Sequence, residues 1–366
     1  MRKIILLFIL INLPMYSASW EIDNFIEVED ERVIVLKKGK NYYTLENKLN
    51  SIVFSEISNQ TKRTYVIDSN FKYTLYGFDI NSNHLIYNDY KNFYYYNYLE
   101  KELIAKVDII PSDYIEFNHD NINVFASNLS TQNCNTETKT LFQEFNIPNR
   151  TKVLYNLPDP KGVDLTCFSR RKVITPLDTL IGISQVSEYK IKFFDRSFNL
   201  IDSIVSSDSN WEQYYEEIPK FDCHSQIVEH INRTRDIIYN FSQIWLFNKL
   251  SDSIVFISWG TGTTTNGNTK FDYYHDTWKK VDDGWKLIET LDQTKLSKND
   301  VFDFLSIELN ESYYIRNGYL YIIKPYPIEL VSEYYKKSKI EFDKELNKYY
   351  ISNNLRYTCF IYKYVP

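Results

Sequence analysis

His84-Leu-Ile-Tyr-Asn-Asp89, Asn92-Phe-Tyr-Tyr-Tyr-Asn-Tyr98 and Leu103-Ile-Ala-Lys-Val-Asp-Ile109 follow one another with only short polar breaks. Each run is too short for a helix and is apolar on one or both faces, the pattern of a buried or half-buried strand. The triplet returns as Thr179-Leu-Ile-Gly-Ile-Ser184, Tyr189-Lys-Ile-Lys-Phe-Phe194 and Leu200-Ile-Asp-Ser-Ile-Val205. Order, length and connector size match between the two sets. A looser copy runs Asn123-Val-Phe-Ala-Ser127, Thr140-Leu-Phe-Gln-Glu-Phe145 and Lys152-Val-Leu-Tyr-Asn-Leu157, with an insertion around Cys134. The stretch from Thr64 to Phe78 continues the pattern upstream.

Working outward, two hairpins stand out. Tyr313 to Ile323 alternates on either side of Asn317-Gly318, and Asn-Gly accepts the positive φ values of a type I′ turn. Phe271 to Val281 turns at Asp282-Asp283-Gly284 and returns from Trp285. Helical spacing is rare. It is clearest over Val331 to Tyr350, with a shorter candidate over Ser225 to Arg235, and the chain closes on an alternating strand from Leu355 to Tyr364.

Repeated units of three or four short strands with almost no helix point to blades around an axis. Leading strands near Leu85, Val124, Leu180, Val255 and Leu320 are unevenly spaced, so some units carry insertions. The expectation is an all-β chain folded as a β-propeller of six, or at most seven, blades with a C-terminal helix and closing strand. A pair of β-sandwich domains is the rival, but it does not require matching triplets.

Composition agrees. Tyr (32) and Phe (23) abound and Gly (9) is scarce, a balance that suits pleated, half-buried surfaces. Acidic residues (48) outnumber basic ones (42), which argues against nucleic acid or an anionic membrane as partner. At the N-terminus, Arg2-Lys3 precede an apolar run from Ile4 to Leu13, and Ser17-Ala18-Ser19 follow. That is the pattern of a signal peptide, too short for a membrane span. Residues 1–19 are thus expected to be removed on export to the periplasm or beyond. Residues 20–366 are expected to form one soluble propeller domain. Cys134, Cys167, Cys223 and Cys359 are compatible with two disulfides in any of three pairings, or with buried free thiols.

The repeat units resemble the exported six-bladed β-propellers of Bacteroidetes type, related to NHL-repeat and TolB-like proteins. The resemblance rests on the unit "apolar strand, polar turn, aromatic strand ending in Asp, turn, strand", as in Tyr189 to Asp195 followed by Leu200 to Val205. It implies a fold and an export route, and no reaction.

Catalytic signatures are missing. The chain has no His-Glu-x-x-His, Gly-x-Ser-x-Gly or phosphate-loop motif. Cys223-His224 with His230 lacks a fourth zinc ligand. Asp79-Ile-Asn-Ser-Asn83 starts like a calcium loop but has His84 and Tyr90 where Gly and Glu are needed, so it reads as a turn. No metal and no cofactor are expected. The stretch Trp259 to Thr269 holds three of the nine glycines and reads as a long loop. Trp259, Asn266, His275, Asp276 and Trp278 are accordingly the candidate ligand-binding residues. The tyrosine stripe Tyr87, Tyr90, Tyr94, Tyr96, Tyr98 reads as cross-strand packing, with sugar or partner stacking as the alternative. The acidic run Asp208, Glu212, Glu216, Glu217, Asp222 reads as a solvated loop, with a glycosidase carboxylate pair as the alternative. The expected function is a non-enzymatic binding or scaffold propeller for a protein or glycan ligand. A carbohydrate-active propeller using Asp/Glu pairs is the alternative.

Overall fold

The structure is a computed structural model. It describes residues 19–29, 33–48, 51–58, 61–68, 71, 73–89, 91–110, 112, 114–118, 120–125, 138–158, 174–177, 179–184, 188–206, 210–212, 241–265, 268–282, 284–292, 313–324 and 357–365. The described residues form six four-stranded antiparallel sheets and no helix. The helices expected over Val331 to Tyr350 and Ser225 to Arg235 lie outside the described residues.

Each sheet is one blade. Blade 1 is β2 (Ile34–Lys38), β3 (Asn41–Lys48), β4 (Ser51–Ser58) and β5 (Thr61–Asp68). Blade 2 is β6 (Gly77–Asn81), β7 (His84–Asn88), β8 (Asn92–Asn97) and β9 (Glu102–Asp108). Blade 3 is β10 (Tyr114–Asn118), β11 (Asn121–Phe125), β12 (Thr138–Asn146) and β13 (Thr151–Pro158). Blade 4 is β14 (Ile174–Leu177), β15 (Leu180–Ser184), β16 (Lys190–Phe194) and β17 (Leu200–Val205). Blade 5 is β18 (Ser242–Ser251), β19 (Ile254–Thr265), β20 (Asn268–Val281) and β21 (Gly284–Asp292). Blade 6 combines β22 (Tyr313–Arg316), β23 (Tyr319–Lys324) and β24 (Tyr357–Val365) with β1 (Ser19–Val28), whose Trp20 pairs with Tyr364. The ring therefore closes by sealing the N-terminal strand onto the C-terminal one.

The first strand of each blade is innermost, where β2 meets β6, β6 meets β10, β14 meets β18 and β18 meets β22. The last is outermost: exposed Val66, Leu103, Val153, Leu200 and Ile288 all sit on fourth strands. Apolar faces of neighbouring blades bury one another. Leu36, Leu45 and Phe54 of blade 1 join Leu85, Tyr87 and Tyr94 of blade 2 in one cluster. Phe193 and Ile204 of blade 4 join Phe247, Ile257 and Trp259 of blade 5 in another.

The aromatic excess is explained here. Tyr87 faces Tyr94 in register and their rings stack at 4.8 Å. Phe125, Phe142 and Tyr155 form a stacked ladder across three strands of blade 3, with centroids 5.1 and 4.0 Å apart. Such cross-strand pairs are the unit of sheet stabilisation. In the predicted tyrosine stripe, Tyr87, Tyr94, Tyr96 and Tyr98 are buried, while Tyr90 lies outside the described residues.

Antiparallel pairing puts successive connections at alternate ends of a blade. At one end, every connection between first and second strands has two residues, and those between third and fourth strands have two to five. This is the short end. Asn317 (φ 52°) and Gly318 (φ 76°) supply the left-handed pair of a type I′ turn there. Asn97, Asn146 and Asp195 cap three of its wider turns by accepting bonds from backbone N–H groups two to four residues on. At the opposite, long end lie the connections spanning 126–137, 159–173, 206–241, 293–312 and 325–356. The longest connections, and with them most of the irregular repeat spacing, lie at that end.

Candidate functional site

A propeller has a problem at its axis. The inner strand of each blade is a sheet edge, so half of its backbone groups have no strand to pair with. Here side chains from other inner strands reach across. Arg316, the last residue of β22, donates from Nη1 to the Phe78 carbonyl of blade 2 and from Nη2 to the Ile115 carbonyl of blade 3 at 2.7 Å. Blade 3 stands opposite blade 6 in the ring, so the guanidinium spans the axis. Asp79 of β6 accepts from the Phe117 amide of β10 at 2.8 Å through Oδ2 and from the Ile80 amide at 2.7 Å through Oδ1. Lys38, at the end of β2, donates to the Ile80 carbonyl and lies 3.4 Å from Asp79 Oδ1. Asn248 of β18 donates to the Ile315 carbonyl at 2.7 Å, and Thr175 of β14 donates to the Phe247 carbonyl at 2.9 Å.

The charges are matched. Arg316 Nη2 is 3.9 Å from Asp79 Oδ2, and the guanidinium sits 5.1 Å from the centre of the Tyr114 ring. Tyr114 donates to Glu116 Oε2 at 3.2 Å, and Asn123 donates to Oε1 at 3.5 Å. Burial pulls the Arg316 pKa down, but Tyr114, Asp79 and Glu116 outweigh it and hold the group charged. Burial pushes the Glu116 carboxyl up, against the downward pull of Arg316 and its hydrogen bonds. Lys38 and Arg316 are the last residues of their strands, next to the short-end turns, and reach from there to groups on β6 and β10.

The sequence-predicted candidates lie elsewhere, on blade 5. The stretch after Trp259 is not a loop. Residues 259–265 continue β19, paired through Thr265↔Asn268, so the segment is a hairpin that outruns its neighbours. β18 stops pairing with it at Thr261 and β21 stops pairing with β20 at Tyr274. The β-branched threonines at 261 and 263–265 favour a strand over the turn that the glycines suggested. The hairpin projects from the long end.

Trp259, His275, Asp276 and Trp278 are all buried, while Asn266 lies outside the described residues. Three of the four form one cluster at the seam with blade 4. Asp276 Oδ2 accepts from Tyr189 Oη at 2.5 Å and from Trp259 Nε1 at 2.8 Å, and Oδ1 accepts from Thr290 at 2.7 Å. Trp278 Nε1 donates to Tyr189 Oη at 3.0 Å. His275 faces the other way and stacks on Phe256 at 5.6 Å with 10° between the planes. Burial lowers its pKa to about 3, so the imidazole is neutral at ordinary pH.

Among the acidic candidates only Glu212 is described. Its amide donates to Ser242 Oγ at 2.7 Å and its carbonyl accepts from the Ser242 amide, which ties residues 210–212 to the start of β18. Cys359 is a free thiol buried in blade 6, and burial pushes its pKa up. Cys134, Cys167 and Cys223 lie outside the described residues. No group of metal-ligating side chains occurs among the described residues. No helix among them is long and apolar enough to cross a membrane.

The axial residues escaped the sequence reading. Asp79 appeared only as a turn residue, and Arg316 as the flank of an Asn-Gly hairpin. For Arg316 the usable signal was a charge closing a short apolar strand, immediately before a two-residue turn.

No protein-family model matches the chain, and no curated protein does. Among solved structures, it is similar to the WD40 domain of Neurospora crassa Pan2, at 8% identity over 76% of this chain and 74% of that one, with a TM-score of 0.40. BamB from Moraxella catarrhalis matches at 9% identity over 83% and 96%, with a TM-score of 0.38. Apo AztD from Citrobacter koseri matches at 13% identity over 47% and 46%, with a TM-score of 0.30. The chain is a six-bladed β-propeller on the pairing of its own strands.

Proposed function

We propose that the chain is an exported, non-enzymatic binding or scaffold propeller whose contact surface is its long end. It would belong with the exported six-bladed propellers of NHL-like and TolB-like type, with residues 1–19 as signal peptide and 20–366 as one domain. The observation that carries this reading is the division of the connections: two to five residues at the short end, and all five spans of twelve or more at the other. Loops carried on a rigid sheet are where binding often resides.

The axial carboxylates speak against the carbohydrate-active alternative. Asp79 is held by two backbone amides and Lys38, and Glu116 by Tyr114 and Asn123. A glycosidase needs one carboxylate free to attack or activate water and another free to donate a proton.

Two measurements test the reading. N-terminal sequencing of the exported protein should begin at Trp20. A photo-crosslinking residue placed at the long end (Lys91 or Asn210) should give discrete adducts in the native compartment, while one at the short end (Lys40 or Lys101) should give none. Adducts from the short end alone, or turnover of any glycan by the purified chain, would overturn the proposal.

A further inference from the structure

We draw no further inference here: the strongest candidate, the exposed apolar strip on the outer strands of blades 4 and 5 (Leu200, Ile201 and Val205 of β17 beside Ile288 of β21), is an unpartnered face, and nothing in the structure shows what covers it.

Discussion

At the scale of single residues, the axis depends most on Arg316. Its guanidinium serves two backbone carbonyls on blades that do not adjoin its own, and it balances Asp79 and Glu116. Arg316→Met should lower stability by about 3–5 kcal/mol, read from the urea midpoint, because two buried carboxylates lose their counter-charge. Adding Glu116→Gln should return part of that loss, while Arg316→Lys should not restore it, since one ammonium lacks the fork that reaches both carbonyls. His275 sets a second expectation. Its folded pKa of about 3 lies below the ordinary value of 6.5. Between those limits the unfolded chain binds the proton and the folded chain does not, so stability falls as pH drops through that window. His275→Phe keeps the ring against Phe256 and removes the titration. Its urea midpoint should fall less than that of the unaltered chain between pH 7.5 and 4.5, a difference of ~2 kcal/mol. An equal fall in both would show that other groups govern the acid limb.

At the scale of elements, glycine and the strand edges matter most. A Cβ on Gly182 of β15 would lie 2.6 Å from Cε2 and 3.0 Å from Cζ of Phe247, a buried ring of the neighbouring blade. Gly182→Ala should therefore cost about 1–3 kcal/mol by calorimetry or urea titration, and Phe247→Leu in the same chain should recover part of it. Legibility also divides by element. The second, third and fourth strands of blades 2, 3 and 4 were readable because they are short runs rich in apolar, aromatic and branched residues that recur in the same order. Their first strands were not. Gly77-Phe-Asp-Ile-Asn81 mixes a glycine, a carboxylate and an amide, and Ile174-Thr-Pro-Leu177 contains a proline that argues against a central strand. Inner strands tolerate such residues because one edge has no strand partner. Asp79 is needed there for that reason: a neighbour's backbone lacks a partner, and no local pattern announces it. Trp259 and Asp276 were visible as a striking concentration of chemistry in sequence, yet the register turns them toward Tyr189 on blade 4. Sequence order cannot specify which face of a blade meets which neighbour.

At the scale of the whole molecule, the ring is held shut by β1. Nine of its ten residues pair with β24 from Ser19↔Val365 to Val28↔Tyr357, Asp23 being passed over at a register shift, and Trp20 packs edge-on against Phe256 of blade 5 and Tyr364 of blade 6. Asp23 of the same strand accepts from Lys37 at 2.6 and 2.7 Å and from Tyr42 Oη at 2.7 Å, which ties the closing blade to blade 1. Tyr314 and Tyr321 reinforce that seam on the backbone of Val35 and Lys37. Removing β1 thus does two things at once. It exposes the full edge of β24, an invitation to pair with another chain, and it strips the outer half of the seam between blades 6 and 1. A chain beginning at Val33 should lose its single cooperative unfolding transition and elute as oligomers on size exclusion. A peptide of residues 20–30 added in trans should restore a monomeric, cooperatively unfolding species, because pairing and side-chain contacts of β1 need no covalent continuity with β2. A shortened chain that stays monomeric with an unchanged urea midpoint would mean that blades 1 to 5 carry the stability alone, and that closure by β1 is incidental to it.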